Sequence, residues 1–187
     1  MRILAVVALV AGLAILVLGL LPHAEAQGPQ DGDTPEILYD VEELPAPVRS
    51  TRDAILKAAR SGDIENLRMV LERNELMPLV AKARPKDPIA YWKAQSPDGQ
   101  GLPVMADMVE VMEAGYVRLK PGTADERYIW PYFAVMPLDH LSPEEKVQLY
   151  QLVGAEKARA MLDDKTFRSY RSGIGPDGTW HYFTADE

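Results

Sequence analysis

Residues 166–185 read TFRSYRSGIGPDGTWHYFTA. Two stretches, Thr166–Ile174 and Thr179–Ala185, flank Gly175-Pro176-Asp177-Gly178. A four-residue loop with Pro, Asp and Gly in that order favours a tight reversal, so the segment predicts a β-hairpin. Trp180 and Tyr182 stand two residues apart. On a regular strand they share one face, with His181 and Phe183 on the other.

Working back from this hairpin, a second one is expected. Tyr116-Val117-Arg118-Leu119 alternates, Lys120-Pro121-Gly122-Thr123 turns, and Arg127–Val135 is aromatic and β-branched. Pro131 interrupts the second run, which predicts an edge or a bulge there. Tyr128, Trp130 and Tyr132 fall at i, i+2 and i+4, one face of a regular strand.

The rest of the chain has helical spacing. Ser142-Pro143-Glu144-Glu145 combines an N-cap, Pro at the first position and Glu at the third. It predicts a helix to about Val153, with Gly154 separating it from another ending near Asp163. Val104, Met105, Met108, Val109, Val111 and Met112 lie on a further helix, with Gly115 as its expected cap. Asp87-Pro88 starts a short helix with Ile89 and Trp92 on its inner face, and Ser96-Pro97-Asp98-Gly99 turns. Ser50 with Asp53 suggests a capping box for a helix through Ile55 and Leu56 to Ser61-Gly62. Asp63 is placed to cap a second helix carrying Ile64, Leu67, Val70 and Leu71, with Asn74 as its stop. The pattern predicts an α+β fold: an N-terminal helical hairpin and further helices packed on a small antiparallel sheet built from two β-hairpins.

The start of the chain reads as an export signal. Arg2 is basic, Ile3–Leu21 is uncharged and apolar, Pro22 breaks the run, and Ala24-Glu25-Ala26 offers small residues to a signal peptidase. Residues 1–26 are therefore expected to be a cleaved signal peptide. An uncleaved anchor is the alternative, since the run is 19 residues long (21 − 3 + 1). Residues 27–46, rich in Pro, Gly, Asp and Glu, read as a flexible tether, with Ile37, Leu38 and Tyr39 able to pin part of it down. Residues 47–187 are expected to form a single domain. Cleavage would remove Arg2 and Glu25, one charge of each sign, and so keep the net charge of −8. That acidity disfavours nucleic acid, whose phosphates need clustered Lys and Arg. No second long apolar run follows, so no membrane span is expected after processing.

The chain has no cysteine, which excludes thiol catalysis, disulfides and Cys-based zinc sites. It lacks G-x-S-x-G, S-x-x-K and phosphate-loop motifs, so no catalytic residue is assigned. His140 and His181 do not have metal-ligand spacing, and no metal or cofactor is expected. Asp163-Asp164 and Glu42-Glu43 are paired acids whose spacing alone gives no reason to place them in a site. Lys82, Arg84 and Lys86 form a basic cluster suited to a carboxylate or phosphate, or simply to solvent. The aromatic pattern supplies the candidate binding residues: Trp130, Tyr132, Trp180, Tyr182 and Trp92. On a sheet face such rings stack on sugars or receive a partner segment; the competing expectation is that they pack under the helices.

The segments SGDIENLR, DPIAYWK with SPDGQG, YIWPYFA and GIGPDGTWHYF resemble a family of uncharacterised exported proteins of alphaproteobacteria, over nearly all of the chain after residue 26. The resemblance implies export to the periplasm and assigns no activity. The expectation is an envelope protein that binds a partner protein or a glycan without catalysis. The alternatives are a hydrolase of envelope polymers using paired carboxylates, and a small-molecule carrier with a Met-lined cavity.

Overall fold

The computed structural model describes residues 35–185. The expected signal peptide and the first part of the tether lie outside the described residues. Within them, six α-helices and one four-stranded sheet form an α+β fold. The strands β1 (Val117–Leu119), β2 (Arg127–Trp130), β3 (Arg171–Ile174) and β4 (Trp180–Thr184) run antiparallel in the order β1-β2-β3-β4. They are the two expected hairpins, joined along β2 and β3.

The helix ends follow local chemistry. In α1 (Ala46–Arg60) the start lies at Pro45, with Pro47 in the first turn. The preset φ of proline fixes the entry, and Ser50 falls inside the helix rather than capping it. The expected second helix is divided. Asp63 accepts from the Glu65 N–H and opens a 3-10 turn, Ile64–Leu67, before α2 (Arg68–Arg73), which stops at Asn74. Asp87 accepts from the Ile89 and Ala90 N–H groups at the head of α3 (Pro88–Gln95). In α5 (Pro143–Val153) the expected capping box is complete: the Glu145 N–H donates to Ser142 Oγ at 3.1 Å, and the Ser142 N–H donates to the Glu145 carboxylate at 2.6 Å. Gly154 then leads into α6 (Ala155–Asp164). The helix α4 (Leu102–Glu113) ends at Ala114 without a left-handed residue, so Gly115 does not cap it.

The sheet separates two cores. One face carries Tyr116, Tyr128, Trp130, Ile174, Trp180 and Phe183 into a cluster with the apolar sides of α1 to α4. The other face carries Val117 and Ile129 into a cluster with Phe133, Leu149, Ala158 and Met161 beneath α5 and α6. Burial on both faces explains why apolar side chains stand on both sides of the strands, as Tyr128 and Ile129 do in β2.

Three strand expectations are corrected. First, β2 ends at Trp130. Pro131 has no N–H to continue the ladder, and residues Tyr132–Ala134 form a 3-10 turn. Tyr132 therefore joins the second core, while Tyr128 and Trp130 lie in the first. Secondly, β3 begins at Arg171 and not at Thr166. The preceding chain leaves α6 through left-handed Lys165, and Phe167 packs into the second core before pairing begins. Thirdly, β4 contains a bulge. Gly173 pairs with Tyr182 and Ile174 with Trp180, so His181 is the extra residue. The bulge breaks the alternation. Trp180 and Phe183 share the first core with ring centroids 6.4 Å apart, and Tyr182 lies on the opposite face, aligned with Gly173 and Ile129.

Both outer edges of the sheet are covered by isolated residues instead of further strands. Asn74 bonds both backbone groups of Trp180: its Oδ1 accepts from the N–H and its Nδ2 donates to the carbonyl, each at 2.7 Å. Leu79 continues the cover, donating to the His181 carbonyl at 2.9 Å and accepting from the Phe183 N–H at 3.0 Å. At the other edge Leu38 and Tyr116 exchange backbone bonds of 2.8 and 2.9 Å. Residues 35–45 are thus packed and not tether-like. Leu44 is 3% exposed, and the Tyr116 hydroxyl donates to the Asp40 carbonyl at 2.8 Å. Their apolar side chains gain more by burial than the polar composition of residues 27–46 suggests.

Trp180 is fully buried and Tyr182 is not. Trp180→Ala is expected to cost roughly 3–5 kcal/mol, and Tyr182→Ala clearly less. Thermal melts of the two variants check the bulge. Equal losses would mean that the two rings share one environment.

Candidate functional site

Four of the five aromatic residues expected to bind are core residues. Trp92 is 1% exposed, and Trp130, Tyr132 and Trp180 are 0% exposed. Trp92 packs against Trp180 and Phe183 with centroid separations of 6.4 and 6.3 Å. The Trp180 indole donates to Ser172 Oγ at 3.0 Å, while the indole N–H groups of Trp92 and Trp130 meet no acceptor. Three tryptophans in this setting fill volume and offer no stacking face. The aromatic platform does not form, because Pro131 and the bulge at His181 turn its members to different sides. Tyr182 alone retains a partly open ring, on the second face of the sheet.

The other sequence candidates also separate. His140 lies beside Asp139 at 3.7 Å on an exposed turn, and His181 is on β4. Among the described residues no three metal-ligating side chains converge. Glu42 pairs with Arg49, and Asp164 with Arg168. Met105, Met108 and Met112 are packed in the first core. Asp98 and Asp177 organise their turns, accepting from the N–H groups of Gln100, Gly101 and Leu102 and of Thr179.

The structure instead forms a cleft of about 210 Å³ where residues 35–45, the end of α4 and the outer side of α5 meet. Tyr39, Glu110, Glu113, Phe133, Gln148, Gln151 and Leu152 line it. Tyr39 is 55% exposed, yet it is braced. Its ring meets the edge of Tyr132 at 6.4 Å and 69°. Its hydroxyl donates to Gln148 Oε1 at 3.1 Å, and the Tyr132 hydroxyl donates to the same oxygen at 3.0 Å. With that oxygen shared by two phenols, the Gln148 amide nitrogen remains a donor for the cleft. Gly115 makes the approach possible. A Cβ there would come within 2.8 Å of the Tyr39 ring and 3.0 Å of the Tyr132 ring. This close packing, and not helix capping, is the reason for glycine at 115.

The electrostatics are acidic. Glu110 and Glu113 sit one turn apart, and Glu113 pairs with Arg60. Asp107 precedes Glu110 by one turn on α4. Burial pushes the Asp107 carboxyl above its ordinary value; Lys157 opposes the shift and Glu110 adds to it. Burial also pushes the Tyr132 phenol well up, with Tyr39 adding to it, so it stays a neutral donor to Gln148. An apolar ring beside side-chain amides and carboxylates can stack on one face of a polar ring and bond its hydroxyls. Of these groups the sequence singled out Tyr132, as a stacking ring, and Tyr39, only as an anchor for the tether; Asp107, Glu110, Glu113, Gln148 and Gln151 were not singled out. The available signals were the spacing of Gln148 and Gln151 on one side of α5, and an aromatic residue in a segment otherwise read as tether.

The chain matches no family model, and no curated protein or solved structure is similar to it.

The Asp107 shift has a definite sign. A carboxyl raised on folding favours the neutral form in the native state, so stability is lost as pH rises through the carboxylate range. Asp107→Asn is expected to melt higher than the parent at neutral pH, and the difference to close in acid below the ordinary Asp range. A constant difference at all pH values would remove the titration from the explanation.

Proposed function

We propose that this chain is an exported bacterial envelope protein that binds a glycan through the Tyr39–Gln148 cleft without transforming it. The signal-like start, with basic Arg2, the apolar run Ile3–Leu21 and Ala24-Glu25-Ala26, supports export. The observation that carries the binding reading is the combination of an exposed but braced ring with two glutamines and two acids around one opening. A sugar presents an apolar C–H face and a rim of hydroxyls, and this set of groups complements both. Bracing Tyr39 in advance also lowers the ordering cost of binding.

Export is checked by N-terminal sequencing of the protein from the periplasmic fraction. The expected first residue is Gln27. An intact Met1 recovered in the membrane pellet would replace cleavage by anchoring.

Glycan binding is checked by titrating the purified protein with solubilised peptidoglycan fragments. Tyr39→Ala is expected to abolish saturable binding and, the ring being about half exposed, to lower the melting temperature far less than the loss of a core ring such as Trp180. Parent protein that fails to bind these fragments, or a Tyr39→Ala protein that binds them as well as the parent, would reject the cleft.

One observation favours a second reading. Asp107 lies outside the cleft's lining but one turn from its Glu110 on α4, and burial there favours the protonated carboxyl, as in an acid that glycoside cleavage sets beside a second carboxylate. Release of reducing ends by the parent but not by Asp107→Asn would make the protein a hydrolase of the same class of ligand.

A further inference from the structure

The Tyr39 cleft is one-sided in charge. Glu110 and Glu113 line it, and among the described residues no cation does. The two acids are not equivalent. Glu113 pairs with Arg60, which offsets its charge. The Glu110 side chain is exposed, and its carboxylate makes no hydrogen bond or ion pair among the described residues. A single uncompensated carboxylate therefore opens on the same space as the half-exposed Tyr39 ring.

Those two groups differ in what they attract. The negative face of an aromatic ring draws a cation, and a carboxylate accepts strongly from a charged N–H donor. A neutral sugar would meet Glu110 with hydroxyls, a contact that water supplies nearly as well. A protonated amine meets it with charge in addition. A ring bearing its own carboxylate would bring like charge against Glu110. The field of the whole chain points the same way, because a net charge of −8 draws cations toward the surface and repels acids. The remaining polar groups are neutral. Gln148 accepts from both phenols through Oε1 and keeps its amide N–H groups as donors, and Gln151 follows it by one turn of α5.

We propose that this cleft selects sugars that carry a free amine, with the protonated amino group between the Tyr39 ring and Glu110 and the neighbouring hydroxyls on Gln148 and Gln151. The proposal rests on the glycan reading of the same cleft and narrows it from glycans in general to those whose amines are not acetylated. Acetylation removes the charge that Glu110 and the ring would both read. It leaves the apolar sugar face and the hydroxyls unchanged, so an acetylated sugar still binds, but more weakly.

The experiment titrates the protein, purified as expressed from the full chain, with short glucosamine oligosaccharides. N-acetylglucosamine oligosaccharides of the same length are titrated in parallel, in low-salt buffer that keeps the free amines protonated. The glucosamine oligomers are expected to bind about tenfold tighter, from one exposed cation–π contact and one exposed ion pair. Glu110→Gln, at an exposed position on α4, is expected to erase most of that difference and to leave the affinity for N-acetylglucosamine oligomers unchanged. Asp163→Asn removes one exposed charge from α6, outside the cleft, and is expected to keep the full preference. Equal binding of the two oligomers by the parent would overturn amine selection and leave the glycan reading standing. Binding of neither would reject both. A preference that persists in Glu110→Gln, or that Asp163→Asn reduces as much as Glu110→Gln does, would trace it to net charge and overturn the proposal.

Discussion

One extra residue in the last strand governs the packing. The bulge at His181 places Trp180 and Phe183 on the same side, where they meet Trp92 from α3 and Tyr170 from the approach to β3. Without the bulge, a regular β4 would carry Trp180 and Tyr182 inward and expose Phe183 on the second face. The cost of breaking the ladder is limited by local partners. Asn74 satisfies both backbone groups of Trp180, and Ser172 accepts from its indole. Asn74 ends α2, so the same residue closes a helix, seals a sheet edge and fixes where the largest side chain enters the core. The helical hairpin and the terminal strand are far apart in sequence, and this side chain ties their positions together.

The second organising constraint is the crossing of residues 35–45 over β1. Leu38 pairs with Tyr116, and one residue further Tyr39 passes Gly115. Tyr132 arrives at the same point from below because Pro131 has ended β2 and the chain has turned into the second core. The Tyr39 cleft is therefore a product of three breaks in regular structure: the end of α4, the end of β2 and the entering segment. Rigid elements on all sides hold Tyr39 and Gln148 in register although neither belongs to the sheet.

Much of the fold was legible in the sequence where the signal was local. Pro143 with Ser142 and Glu145 named the start of α5, Gly154 its end, and the two turn tetrapeptides located both hairpins. What escaped was decided by tertiary packing. A bulge has no distinctive residue, and TWHYF alternates as well in a regular strand as in a bulged one. Ser50 and Asp53 matched a capping pattern, but Pro47 fixed the helix start one turn earlier. The composition of residues 27–46 reads as loose chain, yet three or four apolar side chains and a vacant sheet edge sufficed to order residues 35–45. The cleft was not visible for the same reason. Its members lie far apart in sequence, and glycine at 115 looked like a helix stop rather than room for two rings.

The distribution of aromatic residues also accounts for where recognition can occur. The chain has three Trp and three Phe, and all six are buried. Two cores on either side of one short sheet use every Trp and Phe ring, because these side chains cover the most area. The exposed aromatic surface is left to tyrosine, whose hydroxyl tolerates water. Among the described residues Tyr39 and Tyr150 are the exposed pair, at 55% and 38%. Tyr39 alone of these combines a bracing ring, a hydrogen bond to a side-chain amide and an adjoining cleft. A ring held in place before contact loses little rotamer freedom on binding. A tyrosine that is open to solvent and fixed at both ends is thus the position where this fold presents aromatic surface at least entropic cost.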